Sequence, residues 1–147
     1  MNASSPIREN GEVFHGYTET YVKWKYWWVS KEKYCKINRV ETSVKITYTL
    51  PMLSGNSKDN EVKQVWNKYY PALLKHENGH ANIAIKGAEK IENTLMSQPA
   101  GSSCDKVGEY ADLQARKILE SLPEKHRSYD RDTDHGKTQG AYIWLYL

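Results

Sequence analysis

A single phenylalanine stands among 147 residues, against 11 tyrosines and 5 tryptophans. The aromatic fraction still reaches 12%, which excludes disorder as a description of the whole chain, because disordered chains are poor in such residues. Cysteine is scarce. Cys35 and Cys104 lie far apart and form no CxxC spacing, which excludes a cysteine-built metal knot. Long apolar runs are missing. The longest is the final heptad, Ala141 to Leu147, well short of the ~20 residues of a membrane-spanning helix. Long cationic runs are missing too. The 21 basic and 18 acidic residues leave a net charge of +3, dispersed along the chain, so nucleic acid is not the expected partner. Repeats, heptads and low-complexity tracts are absent. No charged-then-apolar export segment opens the chain. Met1 to Pro6 reads as a flexible start, such as remains when an export signal has been removed.

The apolar fraction of 39% and charged fraction of 27% fit a globular domain, and the length suits one domain with a real core. Residues 1–11 read as a loose leader and 12–147 as a single domain. From Val13 to Leu50 the pattern is β. Tyr21 to Val29 interleaves lysine with aromatics; Val44, Ile46, Tyr48 and Leu50 alternate with Lys45, Thr47 and Thr49. The Lys-aromatic stretch has two readings: a strand with one wet face, or a surface that stacks rings of a ligand. Pro51 and the polar cluster 54–60 end the β region.

Apolar residues then recur at spacings of three and four from Val62 to Leu95, which predicts a helix capped by Asn60 and broken or kinked at Pro71. A second helix is expected from about Asp105 to Ser121, closed by Pro123. Residues 124–140 read as a polar loop, and Ala141 to Leu147 as a last strand. Strands followed by helices make the expected class α+β.

His76-Glu77-Asn78-Gly79-His80 carries the chemistry. Residues four apart on a helix are offset by about 40° and about 6 Å, so two imidazoles can converge on one metal ion. Glu77, on the flank of that face, can reach a water without displacing it. Two His ligands and one carboxylate base are the elements of a zinc hydrolase. The stripe that holds them, with Leu73, Ala84, Gly87 and Ile91, is the apolar one. Titratable groups there are costly unless satisfied, and a metal satisfies them. A catalytic zinc needs a third protein donor. The extended pattern with a third His six residues on fails at Lys86. Glu109, His15, His126 and His135 remain. Asp130, Asp132 and Asp134 do not form a calcium loop, because the sixth and twelfth positions hold His135 and Ala141 instead of Gly and Glu. One of these aspartates could ligate zinc, and another could orient a ligand histidine.

The H-E-x-x-H, followed by Tyr129-Asp130-x-x-Thr133-x-His135-Gly136-x-x-Gln139-Gly140-Ala141, resembles a bacterial family of secreted zinc-dependent proteases catalogued as a domain of unknown function. Cys35, Leu50-Pro51, Trp66 and Cys104 extend the resemblance over most of the chain. It implies a zincin-like fold and one zinc ion on His76, His80 and His135, with Glu77 as base. It implies that Tyr129, Asp130 and Thr133 line the site; Asp134 is a further candidate for steadying the His135 ring, and the Tyr129 hydroxyl a candidate oxyanion donor. It also implies export to the periplasm or cell exterior, and with export a Cys35–Cys104 disulfide. The expected function is hydrolysis of peptide or protein substrates by a zinc metallopeptidase. Cell-wall peptides are one variant of that substrate. The alternative is an exported binding module with a structural zinc, whose strand from Tyr21 to Trp28 takes a glycan or a protein.

Overall fold

Among the described residues, four strands come first and two long helices follow. The computed structural model describes residues 7–9, 12–14, 16–53 and 60–147. Most of the expected leader, the candidate His15 and residues 54–59 lie outside them. Strands β1 (Ile7–Glu9) and β2 (Glu12–Phe14) pair antiparallel with Ile7 opposite Phe14. Strands β3 (Tyr17–Lys31) and β4 (Tyr34–Thr49) form a second two-stranded sheet. A two-residue connection can join only antiparallel neighbours, and Lys33 in it takes the left-handed conformation, φ 54°. Helix α1 spans Asn60–Met96 and α2 spans Cys104–Asp132. The expected α+β class holds.

The chain divides into two compact units. The first is Met1–Glu19, Ile46–Ala81 and His126–Leu147; the second is Thr20–Lys45 and Asn82–Lys125. The hairpin and both helices contribute to each.

In the second unit, Val22, Cys35, Ile37 and Val40 of the hairpin share a core with Ala84, Ala88, Ile91 and Leu95 of α1 and with Val107, Ala111, Ala115, Ile118 and Leu122 of α2. The helix positions recur at three and four, the period of one helical face. Many of them are alanines, so the backbones approach closely. Gly87 completes the contact, since a Cβ there would meet Leu122 Cδ2 at 2.9 Å. Large buried residues such as Ile91 and Leu95 each contribute roughly 1.5–3 kcal/mol. The Trp24 indole and the Tyr26 hydroxyl both donate to Asp112 Oδ1 at 3.2 Å, which fastens β3 to α2. Lys36 donates to the carbonyls of Met96 and Gln98. It supplies the cation that the last turn of α1 lacks.

The pleat of β4 changes phase. Cys35 and Ile37 point inward, Asn38 and Arg39 are both exposed, and Val40 points inward again. Counting back from the turn would set Val40 beside Lys25. Instead Glu41 pairs with Lys25 at 3.7 Å, and Arg39 lies over the Trp27 ring. One extra residue in β4 near Asn38, an insertion of the β-bulge kind, accounts for both observations.

In the first unit, Tyr69 and Leu73 of α1 pack with Ala141 and Ile143, flanked by Leu50, Val65, Trp66 and Tyr146. Three expectations are corrected here. Pro71 neither breaks nor divides α1. Both Pro71 and Asn67, whose carbonyl loses its partner, are exposed, so water can replace the missing bond. Pro123 is likewise exposed, and α2 continues through it to Asp132. Buried Leu122 anchors the helix before it, and Tyr129, bonded to the His76 carbonyl, holds it after. The last heptad is not a strand. Residues Ile143–Tyr146 form a 3-10 turn that satisfies its backbone locally, Leu145 N–H to Tyr142 O at 3.1 Å, whereas a lone strand would need a partner.

Cys35 and Cys104 are joined by a disulfide, with α-carbons 5.2 Å apart. Beside it the Cys35 and Gly101 backbones exchange hydrogen bonds of 2.7 and 2.8 Å. A loop of this size gains about 4 kcal/mol in the chain-entropy account. Replacing both cysteines with serine should therefore lower unfolding free energy by about that amount in urea titration. A loss under about 1 kcal/mol would show that the reduced chain is already restrained by other contacts.

Candidate metal centre

The motif helix and the end of α2 meet at one glycine. A Cβ on Gly79 would lie 2.1 Å from the Tyr129 hydroxyl oxygen, so only glycine admits the phenol against α1. Seated there, the Tyr129 hydroxyl donates to the His76 carbonyl at 2.9 Å. Its ring stacks on the His76 imidazole, centroids 4.9 Å apart and 13° from parallel, and meets His80 edge-on at 4.9 Å. Helical spacing then presents Asp130 beside Tyr129, and His126 one turn earlier on the same face.

The result is a group of three donors. His76, His80 and Asp130 offer ligand atoms that all lie within 4.8 Å of one another. Asp130 Oδ1 is 3.1 Å from His76 Nε2 and 2.8 Å from His80 Nε2. Ligand atoms around a tetrahedral ion with bonds near 2.0–2.1 Å stand about 3.3 Å apart, so small movements would admit one. His76 is 4% exposed and His80 9%, deep enough that neither imidazole is held by bulk water.

The second nitrogen of each imidazole is also held. His76 Nδ1 lies 2.8 Å from Gln139 Oε1, and His80 Nδ1 lies 2.8 Å from His126 Nδ1. An amide oxygen can only accept, so His76 donates from Nδ1. With Nδ1 committed to Gln139, Nε2 is the nitrogen that faces Asp130, and there a metal would take the place of its proton. Gln139 in turn donates through Nε2 to the Tyr129 hydroxyl at 3.2 Å. Gly136, φ 90°, brings its bare backbone onto His76, where a Cβ would sit 2.9 Å from the ring. Asp134 and His135 precede it, also left-handed at φ 49° and 54°.

Electrostatics follow from this geometry. Burial pushes the Asp130 carboxyl up, but the hydrogen bonds from His76 and His80 outweigh it and hold the pKa well below the ordinary carboxylate range. Burial lowers His76, yet its bonds to Asp130 and Gln139 and the charge of Glu77 leave it raised. His126 is lowered by burial and by the neighbouring His80. In the metal-free protein Asp130 thus adds stability above pH ~4 and loses it as pH falls through its depressed value. His76 adds stability below pH ~6.5 and loses it as pH rises through its raised value.

Glu77 is buried, and it accepts a hydrogen bond at Oε2 from the Thr18 hydroxyl at 2.6 Å. Gly16 leaves room beside it, since a Cβ there would lie 3.2 Å from Oε1. Tyr48 donates to Asn78 Oδ1 at 2.8 Å, so the end of β4 runs beside the motif.

His76, His80, Tyr129 and Asp130 come together, and Glu77 stands beside them on α1 with its carboxylate on Thr18; one ligand is exchanged relative to the expectation. The third donor of the cluster is Asp130, which the resemblance had among the lining residues. His135, its implied ligand, is not in the cluster. The reason is the length of α2: a helix reaching Asp132 aims Asp130 at the imidazoles and leaves His135 in the turn beyond. Thr133 sits 3.5 Å from His76 Nδ1, donates to the Tyr129 carbonyl and accepts from the Gly136 N–H. Asp134 is exposed. Thr18 and Gln139 had no assigned role, and His126 had stood only among the candidate third donors. His126, Tyr129, Asp130 and Thr133 do fall at helical spacing, the one signal that could have found His126.

A family model described as "Bacterial protein of unknown function (DUF922)" matches residues 1–136, and the chain belongs to that family. No curated protein and no solved structure matches the chain.

Two outcomes test the architecture of the centre. Gly79→Ala should destabilise the protein by roughly 1–3 kcal/mol, the cost of overpacking, where an ordinary helical position would gain up to ~1 kcal/mol. Urea titration reads the sign. Were a divalent ion held by His80, His126→Ala should weaken its affinity by about 10–100-fold, the usual cost of losing a group that orients a ligand histidine. Competition with a fluorescent chelator measures it.

Proposed function

We propose that this member of the bacterial family is a zinc-dependent metallopeptidase whose ion is held by His76, His80 and Asp130. The donor set carries the reading: two imidazole nitrogens and one carboxylate oxygen converge, each imidazole is fixed from behind, and no fourth protein donor joins them among the described residues. Three donors leave a position open, whereas a structural zinc is closed by four. This favours catalysis over a binding module with a structural ion.

Zinc bound there supplies Lewis acidity, which lets water act as a nucleophile at neutral pH and polarises a carbonyl. Glu77 is the base. Thr18 fixes one carboxylate oxygen, and the other is left to take a proton from the attacking water. The water oxygen bonds to the scissile carbon, the C–N bond breaks, and Glu77 returns the proton to the leaving amine. The Tyr129 hydroxyl spends its hydrogen bond on the His76 carbonyl, which makes it a positioning residue in this arrangement. The end of β4, tied to Asn78 through Tyr48, offers an edge to which an extended peptide can add as a further strand. The disulfide belongs to an oxidising compartment and supports export.

Zinc content and hydrolysis of a denatured protein substrate, measured on the same preparations, test the reading. Glu77→Gln should keep about one zinc per chain and lose at least ~100-fold in rate, the scale of a missing general base. Asp130→Ala should lose the zinc, and His135→Ala should keep it. Full activity in Glu77→Gln would remove the base from the mechanism. Bound zinc with no hydrolysis in any preparation would favour the binding module.

A further inference from the structure

The hairpin carries a second feature that the metal centre does not use. Tyr21, Lys23, Lys25 and Trp27 follow at alternate positions of β3 and share its outward face. Tyr21 is 59% exposed and Trp27 39%. Six residues of strand set the two rings about 20 Å apart. Cations lie over both: Lys23 at 5.5 Å from the Tyr21 centroid, Lys25 at 5.3 Å and Arg39 at 4.3 Å from that of Trp27. Arg39 reaches this face only because β4 changes phase near Asn38. Without the extra residue it would keep the inward parity of Cys35 and Ile37. The insertion thus turns a cation outward, onto an exposed tryptophan.

Charge is concentrated in the same segment. Residues 20–45 hold seven basic and two acidic side chains, a net +5, while the whole chain is +3. Glu41 pairs with Lys25 at 3.7 Å and Arg39 at 3.2 Å. Exposed pairs of this kind are weak, so a ligand anion can replace Glu41 as their partner.

We propose that this outward face binds an acidic polysaccharide. Exposed rings at the two ends of a flat strand stack on sugar faces, and the cations between them meet carboxylate or phosphate groups. The surplus positive charge selects a polyanion over a neutral glycan. The length between the rings selects an extended polymer over a single small anion. On the inward face of β3, Trp24 and Tyr26 are committed to Asp112 of α2, and Trp28 lies against Gly108. Only one face is therefore offered, which suits a chain lying across it and not a bilayer enclosing the hairpin. The disulfide fits an oxidising compartment, as the proposed export requires, and cell-surface glycans are polyanions met there.

Titration calorimetry of the full chain with oligogalacturonate, neutral dextran, oligothymidylate and anionic vesicles tests this. Oligogalacturonate should bind at low salt, and weaken at least ~10-fold in ~0.5 M salt. Dextran should not bind. Trp27→Ala and the pair Lys25→Ala/Arg39→Ala should each weaken binding at least ~5-fold. Their circular dichroism and zinc content should not change, which separates this site from the metal centre. Absence of oligogalacturonate binding, or equal binding by the variants, would overturn the proposal. Tighter binding of oligothymidylate or of vesicles would overturn it in favour of another polyanion.

Discussion

One contact sets the geometry of the candidate centre: the Tyr129 phenol lying on Gly79, with its hydroxyl on the His76 carbonyl. It joins the end of α2 to the middle of the H-E-x-x-H turn at a separation no other residue allows. Asp130, the next residue of α2, is thereby delivered to the two imidazoles. Gly79 is thus more than a neutral spacer between Glu77 and His80. It is where the second helix docks, and the third donor arrives as a consequence of that docking.

From that contact, support spreads outward through neutral groups. Gln139 holds His76 and binds Tyr129 as well, so one side chain fixes two members of the centre. His126 holds His80. Neither brings a second negative charge against the imidazoles. Asp130 then supplies the one carboxylate facing both Nε2 atoms, and the hydrogen bonds between them keep it ionised. An ion entering would take the place of those shared protons. The left-handed turn at 134–136 serves the same arrangement by laying Gly136 flat on the His76 ring.

The α+β order, the motif helix and the strands between Val13 and Leu50 were legible in the sequence, because hydrophobic period depends on local positions, whereas the short apolar run at the end was misread as a strand. The length of α2 was not. Pro123 is a breaker by local rules, and those rules hold in a buried helix interior; on a solvated face, with Leu122 packed before it and Tyr129 seated after it, the helix passes through. That one misreading turned 124–140 into a loop and hid the helical spacing of His126, Tyr129, Asp130 and Thr133. Thr18 and Gln139 carried no local signal at all. Their roles arise from tertiary contact with residues 59 and 63 positions away in the chain. The disulfide followed from resemblance, since two isolated cysteines alone read first as buried free thiols.

A crystal structure of the zinc-loaded protein tests the central claim most directly. One ion should be bound by His76 Nε2 and His80 Nε2 at about 2.0–2.1 Å and by an Asp130 carboxylate oxygen at about 2.0–2.2 Å. His126 and Gln139 would remain on the outer nitrogens, and no fourth protein ligand would be present. An ion bound through His135 with Asp130 turned away, or one enclosed by four protein ligands, would contradict it.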